Sequence, residues 1–173
     1  QVVQRHGWDS ERTQPPALVT IKKEGKKIEA VAVTTKSGFM CVLERETGKP
    51  GYDSEERKVP TNTELAGELL SPTQPVPVKP APFMRELFTE KDINPLLPDS
   101  SYQEVKKRLA GYRSDNMFNA PSIQGTVVFP GLDGGAELGG PTFDPQTGIL
   151  YITANEMSWK KQAVPVPAKP GSR

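Results

Sequence analysis

The stretch 17–48, ALVTIKKEGKKIEAVAVTTKSGFMCVLERETG, decides the fold. Its first two parts, 17–21 and 28–33, are apolar runs with β-branched residues, and Glu24-Gly25 stands between them where a hairpin turn belongs. A third apolar run follows at 38–44. The pattern predicts a meander of three short antiparallel strands.

The end of the third predicted strand is echoed 100 residues later. Glu44-Arg45-Glu46-Thr47-Gly48 and Asp144-Pro145-Gln146-Thr147-Gly148 both place Thr-Gly three residues after an acidic residue, at the edge of an apolar strand. An acidic side chain can accept hydrogen bonds across a tight turn in which glycine adopts a positive φ. The echo favours a repeat with one sheet per copy, although such turns also occur by chance.

Proline dominates the middle of the chain. Residues 50–98 hold nine of the 18 prolines, and a segment such as 71–83 cannot lie inside a sheet. We interpret 50–120 as a long insertion, extended or polyproline-like, with a disordered linker as the alternative. Within it, the apolar spacing of Tyr102, Val105 and Leu109 predicts one short helix, capped by Ser100 or Ser101 and stopped at Gly111.

Strand character returns after the insertion. The runs 125–130, 141–144 and 148–154 have strand character and flank a glycine-dense stretch, 131–140. The end of the chain, 160–173, is polar and proline-rich, which predicts a flexible tail or linker.

Composition excludes several classes of function. The 22 basic and 21 acidic residues leave a net charge of +1, which argues against nucleic-acid binding. One histidine and one cysteine, Cys41, are too few for the common zinc sites or a disulfide, and Cys41 is better explained as a small strand residue than as a nucleophile. Because the chain starts at Gln1 in strand-like sequence, we interpret it as a piece of a larger protein.

A series of motifs across residues 1 to about 159 resembles, in order, the pyrroloquinoline quinone (PQQ)-dependent dehydrogenases, and most of all their membrane-type glucose dehydrogenase branch. The motifs are Trp8-Asp9, Thr35-Lys36-Ser37-Gly38-Phe39, Thr47-Gly48-Lys49-Pro50, Ala120-Pro121-Ser122, Phe129-Pro130-Gly131, Gly139-Gly140, Thr147-Gly148-Ile149-Leu150-Tyr151 and Asn155-Glu156-Met157.

The resemblance implies a mainly β fold, an eight-bladed β-propeller of four-stranded antiparallel blades. Residues 1–159 would supply two to three blades of this domain, interrupted by the insertion 50–120. The intact protein would be a periplasmic enzyme that oxidises an alcohol or an aldose sugar by hydride transfer to PQQ, with calcium as Lewis acid and ubiquinone or a cytochrome as electron acceptor. The calcium ligands would lie mainly on other blades, so the isolated chain would be inactive.

The same resemblance suggests roles for five residues. Asp9 would be the base that takes the substrate hydroxyl proton, and Lys36 would stabilise negative charge on the quinone oxygen. Trp8, Glu137 and Asn155 would complete the cofactor site. Without the resemblance, ordinary structural roles fit these residues better: a turn cap for Asp9, a solvated surface lysine for Lys36, a loop acid for Glu137 and a strand-ending turn residue for Asn155.

Two departures from the family pattern keep an alternative open. Gln4-Arg5 and a displaced His6 replace the usual paired histidines, and Leu138 stands where a tryptophan is usual. These changes would suit a non-catalytic propeller module that serves as a binding or scaffold unit. An unrelated small β domain with a proline-rich partner-binding loop is a third interpretation.

Overall fold

The computed structural model describes residues 14–166. Its largest sheet has three antiparallel strands in the order β1-β2-β3: β1 is Ala17–Lys23, β2 is Lys26–Thr34 and β3 is Met40–Glu44. The chain turns from β1 to β2 at Glu24 and Gly25. The predicted meander is therefore confirmed.

The insertion contains a hairpin-like pair that the sequence did not predict. Ser54–Lys58 (β4) pairs with Thr73–Pro77 (β5) in an antiparallel two-stranded sheet. The amide of Val78 donates to the carbonyl of Asp53 across this pair. In this register the backbone nitrogens of Pro75 and Pro77, which carry no hydrogen, point away from β4. The stretch is extended, as the sequence indicates, and it also pairs, because proline at every second position of an edge strand leaves one side of the backbone able to form hydrogen bonds.

The predicted helix is present, with a different start. It spans Asp99–Ala110 (α1), and Pro98, not Ser100 or Ser101, is its N-cap. The carbonyl of Pro98 accepts the amide of Tyr102, and Asp99 places a negative charge in the first turn, which the helix dipole favours. A short 3₁₀ turn, Glu90–Asp92, precedes it. Within residues 14–166 neither helical segment has the length and apolar character to cross a membrane.

Two further strand pairs follow the insertion. Thr126–Val128 (β6) pairs with Trp159–Lys161 (β9), and Thr142–Asp144 (β7) pairs with Ile149–Tyr151 (β8). Lys160 and Lys161 fall in the range that we predicted as a flexible tail, but they lie in a paired strand. Pairing with a distant strand supplies order that local composition does not reveal.

The two Thr-Gly segments form the same turn. Thr47 Oγ1 donates to Glu44 Oε2 at 2.6 Å, and Thr147 Oγ1 donates to Asp144 Oδ2 at 2.6 Å. The amides of Gly48 and Gly148 donate to the carbonyls of Glu44 and Asp144 at 2.9 and 2.8 Å. The flanking pairs also match, since Leu43 faces Pro50 as Phe143 faces Leu150. The echo in the sequence is therefore a repeated hairpin with the same register.

The sheets of the described residues are smaller than the four-stranded blades implied by the resemblance. They contain three, two, two and two strands and form no closed ring between residues 14 and 166. The isolated bridge from Leu43 to Pro50 marks where a fourth strand would begin beside β3. The pairing extends past Pro50, because the amide of Gly51 donates to the carbonyl of Val42 at 2.8 Å.

Two apolar clusters join the parts of the chain. In the first, Val19, Ala30, Ala32 and Val42 pack on one face of the β1-β2-β3 sheet, and Phe143 and Leu150 of the β7-β8 hairpin pack against them. In the second, Phe39 packs with Val76 and Phe118 from the insertion. The insertion is thus fixed to the sheet by buried side chains, and the disordered-linker alternative is wrong for its described structure.

The repeated turn gives a matched pair of test positions. Gly48 and Gly148 have φ values of 68° and 74°, and a Cβ added at either position would meet no atom within 4 Å. Alanine at either site is therefore penalised only by the left-handed backbone, and we expect Gly48→Ala and Gly148→Ala each to lower the free energy of unfolding by about 1 kcal/mol. Urea denaturation measures both values.

The control for this prediction is Gly48→Asn, which should be tolerated better because asparagine enters the left-handed region more readily. Losses that differ widely between Gly48→Ala and Gly148→Ala would contradict the equivalence of the two turns.

Candidate functional site

The connection between β2 and β3 holds Lys36 in a fixed turn. The amide of Thr35 donates to the carbonyl of Phe39 at 2.9 Å, and the Thr35 hydroxyl both donates to that carbonyl and accepts the Phe39 amide. Thr35 is completely buried. Lys36 therefore projects from a backbone turn that its neighbours determine tightly.

The Lys36 ammonium contacts two residues of the glycine-dense stretch 131–140. Its Nζ donates to the carbonyl of Leu132 at 3.3 Å and lies 3.4 Å from Oε1 of Glu137. The Lys36 side chain is only 11% exposed, whereas that of Glu137 is 39% exposed. The structure thus brings together two of the predicted site residues, which are 101 positions apart in the chain.

Two glycines allow the loop to approach Lys36 so closely. The amide of Gly135 donates to the Lys36 carbonyl at 2.6 Å. A Cβ at Gly134 would lie 2.5 Å from Cγ of Lys36, and one at Gly135 would lie 2.1 Å from Sδ of Met84. A larger residue at Gly134 would collide with the Lys36 side chain, and one at Gly135 would collide with Met84.

Asn155 is connected to this group through the main chain. Its amide donates to the carbonyl of Gly135 at 2.7 Å, and its side-chain Oδ1 accepts the amide of Met157 at 3.0 Å. The carbonyl of Met157 in turn accepts the amide of Gly131 at 2.7 Å. Asn155 is exposed, so it lies at the surface of the site and also serves as the turn residue that its position suggested.

The sequence analysis missed Arg85, which joins the insertion to this site. The backbone amide of Arg85 donates to Oε1 of Glu156 at 3.0 Å, and its Nε donates to Oε2 at 2.7 Å. Nη1 of the same guanidinium contacts Asp92. The hydrogen bond from Arg85 is the main reason that the pKa of Glu156 lies below its ordinary value. Residues 71 positions apart give no local pattern, so only the fold could reveal this pair.

The cavity beside Lys36 is small. Its lining includes Phe118, Thr126 and Leu132, and its volume of about 20 Å³ suffices for roughly one water molecule. An organic cofactor does not fit inside it. Within the described part of the chain, Lys36 and Glu137 can therefore meet such a molecule only on their exposed side.

The comparisons with known proteins place the chain in a family. Residues 1–172 match the family described as PQQ glucose/ethanol/alcohol dehydrogenase, beta-propeller domain. The chain belongs to this family. The recognition made from the motifs is confirmed, and so is the mainly β class, in which these sheets are part of a β-propeller domain.

Curated relatives of this PQQ family cover most of the chain. A glycerol dehydrogenase large subunit from Gluconobacter thailandicus is 33% identical over 90% of this chain and 21% of its own length. Quinoprotein glucose dehydrogenases from Gluconobacter oxydans and Escherichia coli are 30% and 28% identical, over 95% and 99% of this chain and 20% and 21% of their own lengths. The chain spans about a fifth of the length of these relatives. No solved structure matches it.

Several predictions for the PQQ site lie beyond what the structure tests. Trp8 and Asp9 are outside the described residues, so their roles stay predictions. Within residues 14–166, no group of three or more His, Cys, Asp or Glu side chains could hold a metal ion. Leu138, which replaces the usual tryptophan, is 73% exposed.

The close approach of the glycine loop predicts a coupled pair of substitutions. Gly135→Ala should lower the free energy of unfolding by about 1–3 kcal/mol, because its Cβ would overlap the buried side chain of Met84. The double variant Gly135→Ala/Met84→Ala should lose less than the sum of the two single losses, since removing the thioether makes room for the new methyl group.

Urea denaturation of the wild type, the two single variants and the double variant gives the coupling free energy. Gly139→Ala is the control, because a Cβ there meets no atom within 4 Å. Strictly additive losses would show that the loop relaxes away from Met84 and does not require this contact.

The pair formed by Arg85 and Glu156 predicts a dependence of stability on pH. The pKa of Glu156 in the fold is lowered below the ordinary value near 4.5, mainly by the hydrogen bond from Arg85. Ionised Glu156 therefore contributes stability above the unfolded pKa, and this contribution is lost as the pH falls through the folded pKa. We expect Glu156→Gln to be less stable than wild type at neutral pH and to lose less stability on acidification to about pH 3.

Thermal denaturation across this pH range measures the difference. Glu46→Gln, at an exposed turn position, is the control for removing one carboxylate elsewhere on the surface. Parallel curves for wild type and Glu156→Gln would contradict the assignment.

Proposed function

We propose that this chain is part of a PQQ-dependent dehydrogenase that oxidises an alcohol or an aldose sugar. The family match over residues 1–172 supports this proposal, as do the relatives named as glycerol and glucose dehydrogenases. The observation that carries it in the structure is the ammonium of Lys36, held beside Glu137 by a loop that only glycine allows.

The chemistry of this group fits the cofactor. PQQ is an ortho-quinone that bears carboxylates, and when bound it accepts a hydride from the substrate. An ammonium held in a partly buried place is suited to donate hydrogen bonds to quinone or carboxylate oxygens, and it stabilises negative charge there more strongly than it would in bulk water. Glu137 offsets the lysine charge and fixes the direction of the side chain.

The remaining parts of the proposal follow from the resemblance to the family. Asp9 is the proposed general base for the substrate hydroxyl, and Trp8 and Asn155 would line the cofactor with Lys36 and Glu137. Calcium would be bound mainly by other blades, and electrons would pass to ubiquinone or a cytochrome in the periplasm. The isolated chain would lack turnover because the remaining blades enclose the cofactor.

One observation favours the alternative, a non-catalytic propeller module. Two partners already engage the Lys36 ammonium, the Leu132 carbonyl and the Glu137 carboxylate, as they would in a purely structural ion pair. A saturable PQQ site in the full-length protein separates the two functions, since a scaffold would bind no quinone.

The test compares variants of the full-length protein loaded with PQQ and calcium. Lys36→Ala should reduce kcat by about 10²–10³, because one preorganised donor to developing charge is removed. Asp9→Asn should reduce kcat by about 10²–10⁴ while PQQ affinity stays near wild type, because the base is lost and the cofactor contacts remain. Dye reduction with glucose, glycerol and ethanol gives the rates, and fluorescence titration gives the affinity for PQQ.

Lys58→Ala is the matched control, since Lys58 is an exposed lysine on β4. Wild-type rates in Lys36→Ala and Asp9→Asn would refute the proposed roles. Absence of saturable PQQ binding in the wild-type protein would favour the scaffold.

A further inference from the structure

Three consecutive residues of the insertion contact the frame around Lys36. The amide of Phe83 donates to the carbonyl of Gly38 at 3.0 Å, at the end of the turn that carries Lys36. Met84 is 8% exposed, and its side chain lies against both Gly38 and Gly135. Arg85 binds Glu156 through its backbone and its guanidinium.

Glu156 lies between two residues that bond to the two ends of the loop segment 131–135, and we call this pair of bonds the brace. The residue before it, Asn155, donates to the carbonyl of Gly135, and the residue after it, Met157, accepts the amide of Gly131. The loop between these two bonds contains Leu132, whose carbonyl accepts the Lys36 ammonium. A fixed Glu156 therefore keeps both ends of the segment 131–135 in place, and this segment contains the carbonyl that accepts the Lys36 ammonium.

The guanidinium of Arg85 is restrained on further sides. Nη1 contacts Asp92, whose carboxylate also accepts the amide of Thr89 at 2.7 Å. The guanidinium carbon lies 5.5 Å from the ring centroid of Phe129, at the start of the glycine stretch. Paired carboxylates and an aromatic face restrict a side chain that would otherwise sample many rotamers.

We propose that Phe83–Arg85 is a positioning element that sets the place of the Lys36 ammonium, with the Arg85–Glu156 pair as its adjustable contact. This inference rests on the proposed function of Lys36. It assigns the proline-rich insertion a role in the cofactor site, although none of these three residues is proposed to touch the cofactor.

The exposure of the Arg85–Glu156 pair distinguishes a positioning role from a contribution to global stability. The side chains of Arg85 and Glu156 are 51% and 34% exposed, and ion pairs at such exposed positions contribute little to global stability. A small displacement at a reacting group, in contrast, changes function strongly. Loss of the pair should therefore lower the melting temperature only slightly, by the small pH-dependent contribution of ionised Glu156, and should affect the loop and the cofactor more strongly.

The first experiment needs no cofactor. In the full-length protein, Arg85→Ala and Glu156→Gln should each speed hydrogen exchange of the Gly135 and Asn155 amides by about tenfold, because the brace opens locally. Amides in the β1-β2 hairpin should keep their wild-type rates. Arg108→Ala is the matched control, because Arg108 forms an exposed ion pair with Glu104 on α1. Unchanged exchange at Gly135 and Asn155 would overturn the proposal.

The second experiment is a double-mutant cycle on PQQ affinity. Arg85→Ala should weaken PQQ binding about tenfold in the wild-type background and less than about twofold in the Lys36→Ala background, because the arginine acts through the lysine. Arg85→Lys should fall between wild type and Arg85→Ala, since it keeps the charge but not the paired donors. Equal losses in both backgrounds, or a loss no greater than that of Arg108→Ala, would overturn the proposal.

The hydrogen-exchange and PQQ-affinity measurements distinguish failure of the proposed function from failure of the positioning role. If the wild-type protein takes up no PQQ, the proposed function fails, and the exchange rates alone decide whether Arg85 positions the loop. If PQQ binds but the cycle is additive, the function stands and the positioning role does not. Arg85→Lys provides the same comparison if Arg85→Ala does not fold.

Discussion

The hydrogen bond from the Gly135 amide to the Lys36 carbonyl is the contact on which the candidate site depends. A Cβ at Gly134 would overlap Cγ of Lys36 and one at Gly135 would overlap Sδ of Met84, so this 2.6 Å bond forms without displacing either side chain because both residues lack a Cβ. This contact brings the glycine loop to the turn between β2 and β3. The ion pair between Lys36 and Glu137 and the main-chain link to Asn155 both follow from it.

The insertion is an integral part of this arrangement. Its strand β5 brings Val76 against Phe39, at the end of the turn that carries Lys36, and its later segment places Met84 between Gly38 and Gly135. A segment with so many prolines has little freedom to lose on folding, so a few buried side chains are enough to fix it. The proline-rich composition thus makes the insertion a stiff support and not a linker.

The match to the PQQ glucose/ethanol/alcohol dehydrogenase β-propeller family explains the openness of the structure. Hydrophobic residues such as Leu18, Leu138, Ile149 and Tyr151 are exposed, and in a β-propeller such sheet surfaces pack against neighbouring blades. The chain spans about a fifth of the length of these relatives.

The sequence alone determined what depends on short-range pattern. The meander of β1, β2 and β3 follows from apolar runs and a turn signal, and the hairpin at Gly148 repeats the turn at Gly48 because the same side chains make the same local bonds. Family motifs also singled out Lys36, Glu137 and Asn155. The tertiary structure alone decided that Lys36 and Glu137 form an ion pair, that Pro75 and Pro77 lie in a paired strand, and that Arg85 binds Glu156. These contacts join residues 19 to 101 positions apart, and no local propensity specifies which distant partner a side chain or an edge strand meets once loops close and apolar faces are buried.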